Sequence, residues 1–129
     1  VVAMAEGIRV YIVDDDDAVR ESLTELLASS GCHVTSFSAA SAFLEVAHNL
    51  SIGCLITDVR MPGMSGLEIA EFVQRDAIPT KIVILTMYDE ADLFNRAMDL
   101  GVMGYILKDF SYNCINRFTN KTVITRIFN

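Results

Sequence analysis

Five short apolar runs, each closed by a polar residue or a turn, decide what this chain can fold into. They are Ile8 to Val13, Val34 to Phe37, Cys54 to Thr57, Lys81 to Leu85 and Tyr105 to Leu107. Each is too short for a buried helix, and most are rich in β-branched residues. Between them, apolar side chains return every three or four positions. The sets are Val19, Leu23, Leu26 and Leu27; Phe43, Leu44, Ala47 and Leu50; Leu67, Ala70 and Val73; and Leu93, Ala97 and Leu100. Strands joined by helices run parallel, and strands apolar on both faces must be covered on both. The alternation therefore predicts an α/β fold, a five-stranded parallel sheet with helices on both faces.

Stop and start signals fall between the elements. Gly31 and Gly101 close the first and fourth helices, and Pro79 precedes the fourth strand. Ser38 and Asp89 are expected to cap the second and fourth helices. The loop Met61-Pro62-Gly63-Met64 leads to Ser65, and Glu68 three positions on completes a capping-box pattern.

With 129 residues and 14.2 kDa there is room for one domain, and 52% hydrophobic content supplies its core. Runs such as Ile82 to Leu85 fall far below the roughly 20 residues of a membrane span. The first residues lack a basic region followed by a long apolar stretch, so a cytoplasmic location is expected and no membrane association. The net charge of −7 opposes nonspecific binding to nucleic acid, itself a polyanion. All 17 acids lie at or before Asp109, whereas Arg117, Lys121 and Arg126 leave the remainder basic, which marks a boundary. Three cysteines, Cys32, Cys54 and Cys114, show no C-x-x-C spacing and read as reduced thiols. His33 and His48 have no ligand-like partner at helical spacing, so no zinc site is expected.

Function is concentrated where the strands stop. In an open α/β sheet ligands bind beyond the carboxyl ends of the strands. Asp14 and Asp15 follow the first run, Asp58 the third, Thr86 the fourth and Lys108 the fifth. Parallel strands gather these on one rim. Carboxylates ~4 Å apart repel by about 4 kcal/mol at an effective dielectric of ~20, so the cluster must hold a proton, a basic side chain or a metal ion. Mg²⁺ suits best, because it takes hard oxygen ligands and completes its shell with water and phosphate. A metal, a lysine and a hydroxyl around a carboxylate make an environment for a transferring phosphoryl group. Asp58 is the natural nucleophile and would form an acyl phosphate, with Asp14 and Asp15 holding the metal. Singly, each residue has a plainer reading. Asp14 or Asp15 could be a helix cap, Asp16 and Asp17 caps or solvated charges, Lys108 a surface lysine, Thr86 a strand-end hydroxyl and Tyr105 a packing residue.

Taken together they resemble the receiver domain of bacterial two-component response regulators, the CheY-like superfamily. The matching pieces are Ile12-Val13-Asp14-Asp15 with Ala18-Val19-Arg20, Thr57 to Gly66, Leu85-Thr86, and Gly104 to Lys108. The intervals Asp15 to Asp58, Asp58 to Thr86 and Thr86 to Lys108 are 43, 28 and 22 residues. The resemblance implies a doubly wound, flavodoxin-like sheet of order 2-1-3-4-5. It implies that Asp58 is the phosphoacceptor, with Lys108 and Thr86 contacting the phosphoryl group. Asp14, Asp15, Asp58 and the backbone carbonyl of Arg60 would ligate Mg²⁺. Thr86 and Tyr105 would form the switch, the ring turning inward as the threonine moves toward the phosphate. The implied donor is a phosphohistidine on a sensor histidine kinase, and the protein catalyses only its own phosphorylation and dephosphorylation. Its partner surface, or homodimer face, would be the fourth helix, fifth strand and fifth helix.

Asp109 stands where the family often has proline. Lys108-Asp109, with Leu85-Thr86-Met87-Tyr88-Asp89-Glu90, resembles the NarL/FixJ-like branch of transcription regulators. Residues 1–110 are then expected to form the receiver core, with no effector domain expected within this chain, as in an isolated receiver or a truncated one. Residues 111–129 read as a divergent segment, because β-branched Thr119, Thr122, Val123, Ile124, Thr125 and Ile127 make a poor fifth helix, short or frayed. Two rival functions stay open at this point. One is a pseudo-receiver that binds without phosphate. The other is a Mg²⁺-dependent phosphatase using Asp58, although Arg60 occupies the position where that enzyme would carry its acid–base carboxylate.

Overall fold

The computed structural model of the chain describes residues 7–87 and 90–107. Five strands alternate with four helices: β1 (Arg9–Val13), α1 (Asp17–Ser29), β2 (His33–Phe37), α2 (Ala40–Val46), β3 (Gly53–Thr57), α3 (Gly66–Arg75), β4 (Thr80–Thr86), α4 (Ala91–Asp99) and β5 (Gly104–Leu107). All neighbouring strands are parallel, in the order β2-β1-β3-β4-β5. Both the parallel sheet and the order implied by the family resemblance are found. The chain winds outward from β1 to β2, then crosses back to β3 on the other side of β1. The winding therefore reverses between β1 and β3, and in sheets of this kind ligands bind beyond the carboxyl ends of the strands at such a point.

Strand alternation sorts the core into two layers. Tyr11, Val13, Leu55 and Ile84 face Phe43 of α2, Leu67, Ile69 and Ala70 of α3, and Ala97 of α4. Val10, Ile12, Cys54, Ile56, Val83 and Leu85 face Leu23 and Leu27 of α1. Burying each such aliphatic side chain contributes roughly 2 kcal/mol of transfer free energy. β3 is buried throughout and β1 in all but its first residue, whereas β2, at the edge, is mostly exposed. Burial raises the Cys32 thiol pKa and pushes Cys54 up to about 12, so both stay protonated and inert at neutral pH. The reading of these two as reduced thiols holds, and Cys114 lies outside the described residues.

Helix ends follow the sequence signals in most places. Gly31 and Gly101 stand just past the ends of α1 and α4 with φ of 93° and 77°, the left-handed conformation that stops a helix. Ser65 caps α3, its hydroxyl accepting from the Glu68 N–H at 3.2 Å. Ser38 does not cap α2. The N-cap position is Ala39, whose methyl group cannot accept a hydrogen bond, because the helix starts one residue later than the serine suggests. α2 itself stops at Val46 and tightens into a 3₁₀ turn at Ala47–Asn49, which leaves Leu50 beyond the helix but still packed on the core. At α4 the N-cap position is Glu90, and the expected cap Asp89 lies outside the described residues. So does the whole of the 111–129 segment. Among the described residues, no helix is long and apolar enough to cross a membrane.

Candidate functional site

The acidic rim is built by the sheet ladder itself. Beyond the last residue of β1, the Asp14 N–H donates to the Phe37 carbonyl at 3.2 Å; beyond β3, the Asp58 N–H donates to the Val13 carbonyl at 3.2 Å. These bonds extend the β1–β2 and β1–β3 pairings by one residue and fix both backbones before any side chain is considered. Asp14 and Asp58 are buried, and Asp15 is exposed.

The loop between β1 and α1 is held by its own acids. Asp14 Oδ1 accepts from the Asp16 N–H at 2.9 Å, and Asp16 Oδ1 accepts from the N–H groups of Ala18 and Val19 as the cap of α1. The helix N-terminus favours that negative charge. Arg20 reaches back from the first turn of α1, donating through Nη1 to the Asp14 carbonyl at 2.7 Å and pairing through Nη2 with Asp17. Asp16 is thus a cap and Asp17 a surface ion-pair partner, in line with the plain reading of both.

Below Asp58 the packing leaves no slack. Thr57 Oγ1 donates to the Asp58 carbonyl at 3.1 Å, and the Gly66 N–H donates to the Val59 carbonyl at 2.9 Å. A Cβ at Gly66 would lie 2.1 Å from the Asp58 carbonyl oxygen. The first turn of α3 can approach the Asp58 backbone only because that position is glycine.

Thr86, the last residue of β4, is fully buried and pairs with Leu107 of β5. Leu107 directly precedes Lys108, which lies outside the described residues. Tyr105 pairs with Ile84, and its half-buried ring meets Phe94 of α4 edge-to-face at a centroid distance of 5.5 Å. The Arg60 side chain leaves the rim and pairs with Glu90, the N-cap residue of α4.

One oxygen from each of Asp14, Asp15 and Asp58 can be chosen so that all lie within 4.8 Å of one another. Neighbouring ligands of an octahedral ion with ~2.1 Å bonds sit ~3 Å apart and opposite ones ~4.2 Å apart, so this spacing can close on one small cation with little movement. The donors are all oxygen, which favours a hard ion such as Mg²⁺ over zinc or copper. Three of the sequence-selected acids thus come together, and Thr86 ends the strand next to the one that leads into Asp58. Sequence reasoning did not assign roles to Arg20, Gly66 or Glu90. All three lie inside the family-like motifs, but nothing in the chain links Glu90 to Arg60, 30 residues away.

Comparison with known proteins agrees with this geometry. A family model described as the response regulator receiver domain matches residues 10–118. The transcriptional regulatory protein FixJ of Azorhizobium caulinodans is 43% identical over 107 residues, covering 83% of this chain and 51% of that protein. The crystal structure of full-length FixJ from B. japonicum superposes with a TM-score of 0.83 at 37% identity, over 95% of this chain and 58% of that one. The chemotaxis protein CheY4 of Vibrio cholerae shares the fold, with a TM-score of 0.81 at 22% identity over 95% of this chain and 99% of that one. The chain spans about half the length of the curated relatives it matches.

Proposed function

The chain belongs to the response regulator receiver family, on its FixJ-like side, and we propose that it accepts a phosphoryl group on Asp58 from a phosphohistidine of a sensor histidine kinase. The observation that carries the proposal is the gathering of Asp14, Asp15 and Asp58 oxygens within 4.8 Å at the point where the winding reverses. One Asp58 carboxylate oxygen bonds to phosphorus as the bond from phosphorus to the donor's leaving nitrogen breaks, the electron pair departing with the imidazole. A carboxylate nucleophile attacks without a base to activate it. Thr86, through its hydroxyl, and Lys108, through its ammonium group, would contact the transferred oxygens. Asp14, Asp15, Asp58 and the backbone carbonyl of Arg60 would hold Mg²⁺. A bound Mg²⁺ supplies charge relief for the phosphoryl oxygens and for the three carboxylates.

The fully buried Thr86 and the Tyr105 ring would transmit occupancy of the site. Thr86 moving toward the phosphoryl group opens space that Tyr105, now against Phe94, can enter. The signal then appears on the α4–β5 side, where a partner or second copy would bind together with the segment after residue 110. We place the protein in the cytoplasm, in transcription regulation, with residues 1–110 as the receiver core and no contact with nucleic acid by this chain.

Incubation with Mg²⁺ and acetyl phosphate tests the reading. The expected result is one alkali-labile phosphoryl adduct per chain, absent in Asp58→Asn and absent with a chelator. Turnover of external phosphoesters many times per chain would favour a phosphatase, and no adduct at all would favour a phosphate-independent binding module.

A further inference from the structure

Six lysine and arginine side chains lie among the described residues: Arg9, Arg20, Arg60, Arg75, Lys81 and Arg96. Four of them pair with carboxylates, whereas among the described residues Arg9 and Lys81 pair with none. These two line one cleft, at the end of the sheet opposite Asp58. Arg9 is the first residue of β1 and Lys81 the second of β4, and β3, which starts at Gly53, runs between those strands. A Cβ at Gly53 would lie 2.4 Å from the Arg9 carbonyl oxygen, so glycine lets β3 begin this close to β1.

The cleft holds about 610 Å³, within the range of small-ligand sites. No acid among the described residues lines it, and Ile8, Ile52, Ile78 and Pro79 make much of its wall apolar. Ile52 is 75% exposed, the most open of the large apolar side chains exposed among the described residues. In a chain of net charge −7, a cleft with two cations and no acid favours a counter-charge from outside. A bare inorganic anion would leave Ile52 in water, and an uncharged apolar molecule would leave the cations unmatched. An anion with an apolar body satisfies both. We propose that this cleft binds a small amphipathic anion, its oxyanion head held by Arg9 and Lys81 and its apolar body lying along Ile8, Ile52 and Pro79. The site lies beyond the amino ends of the strands and the acidic rim beyond their carboxyl ends, so binding does not depend on Asp58.

The test is titration of the full chain, followed by two-dimensional amide NMR at low salt and below micelle-forming concentrations. Decanoate and decyl phosphate carry two oxyanion heads on one apolar body, and decan-1-ol carries that body alone. At least one of the anions should give saturable shifts centred on Ile8, Gly53 and Thr80, and the tighter of the two names the head. Decan-1-ol should bind at least about tenfold more weakly, because it cannot accept a charge-assisted bond from both cations. That comparison tests the charge requirement without any substitution. Arg9→Gln and Lys81→Gln should each weaken the anion about tenfold and leave decan-1-ol unchanged. Ile52→Ser should weaken both ligands several-fold. Asp58→Asn should bind as the unaltered chain does, so loss of phosphorylation and loss of this site are separate results. No saturable shift with either anion, equal affinity for decan-1-ol, or shifts on the exposed Phe94 and Met98 of α4 instead would overturn the proposal. Folded charge variants that bind the anion as tightly as the unaltered chain would overturn it too.

Discussion

α3 and α4 cover the same face of the sheet, yet they are held by different means. α3 buries Gly66, Leu67, Ile69, Ala70 and Val73, and its N-terminus is capped by the Ser65 hydroxyl. α4 buries Ala97, lacks a side-chain cap, and leaves Phe94 and Met98 exposed among the described residues. Local stability follows buried apolar area and satisfied helix ends. The α3 side, carrying Asp58, is therefore the rigid frame on which chemistry can be positioned. The α4 side, next to Thr86 and Tyr105, is the part whose rearrangement requires the least disruption of the core. A switch needs both, a fixed site and a neighbour that can shift in response to it.

Taking the protein alkaline challenges the rigid half most severely. Cys54 on β3 has its folded-state pKa raised from 9.0 to about 12 by burial. A raised pKa contributes stability that is intact below pH 9 and is lost as pH climbs toward 12, because the unfolded chain can release the thiol proton and the folded one resists. Urea unfolding across that window should show a steep fall for the unaltered chain and a shallower one for Cys54→Val. Identical slopes would show that this thiol is not held in the dry layer against α1.

Gly66→Ala comes next. A methyl group placed 2.1 Å from the Asp58 carbonyl oxygen must push the first turn of α3 off the site. We expect a loss of about 3 kcal/mol in unfolding free energy and a weakened phosphoryl adduct, with α4 unaffected in amide exchange. Unchanged stability would mean that α3 is less tightly seated than its burial implies.

Truncations on the two helices sharpen the contrast further. Leu67→Ala, at a fully buried position of α3, should cost about 3 kcal/mol. Phe94→Ala, which removes the edge-to-face contact with Tyr105 from a position 45% exposed, should cost about 1 kcal/mol or less. Native-state hydrogen exchange should give α3 amides protection well above that of α4. Equal protection would erase the distinction between frame and switch.

Much of this was readable before any coordinates, and for physical reasons. A short apolar run ending in a carboxylate, repeated between periods of 3.6, places Asp14, Asp15 and Asp58 on one rim whatever the details of packing, because parallel strands share a carboxyl end. Ser65 with Glu68 marked the start of α3 because both halves of the signal are local. Ser38 misled because a cap depends on where the backbone first turns helical, and Ala39 takes that position. The Arg60–Glu90 bridge was invisible because loops after neighbouring strands meet through register, which no short motif encodes. Lys108, Asp89 and the segment from 111 onward lie outside the described residues.

The most direct test of a shared cation and phosphoryl site is fluorine NMR with beryllofluoride, a phosphoryl mimic. With Mg²⁺ present, the unaltered chain should give bound fluoride resonances. These should vanish on chelation and in Asp58→Asn, and should need far more Mg²⁺ in Asp15→Asn. Bound resonances that persist without Mg²⁺, or in the absence of the Asp58 carboxylate, would contradict the account.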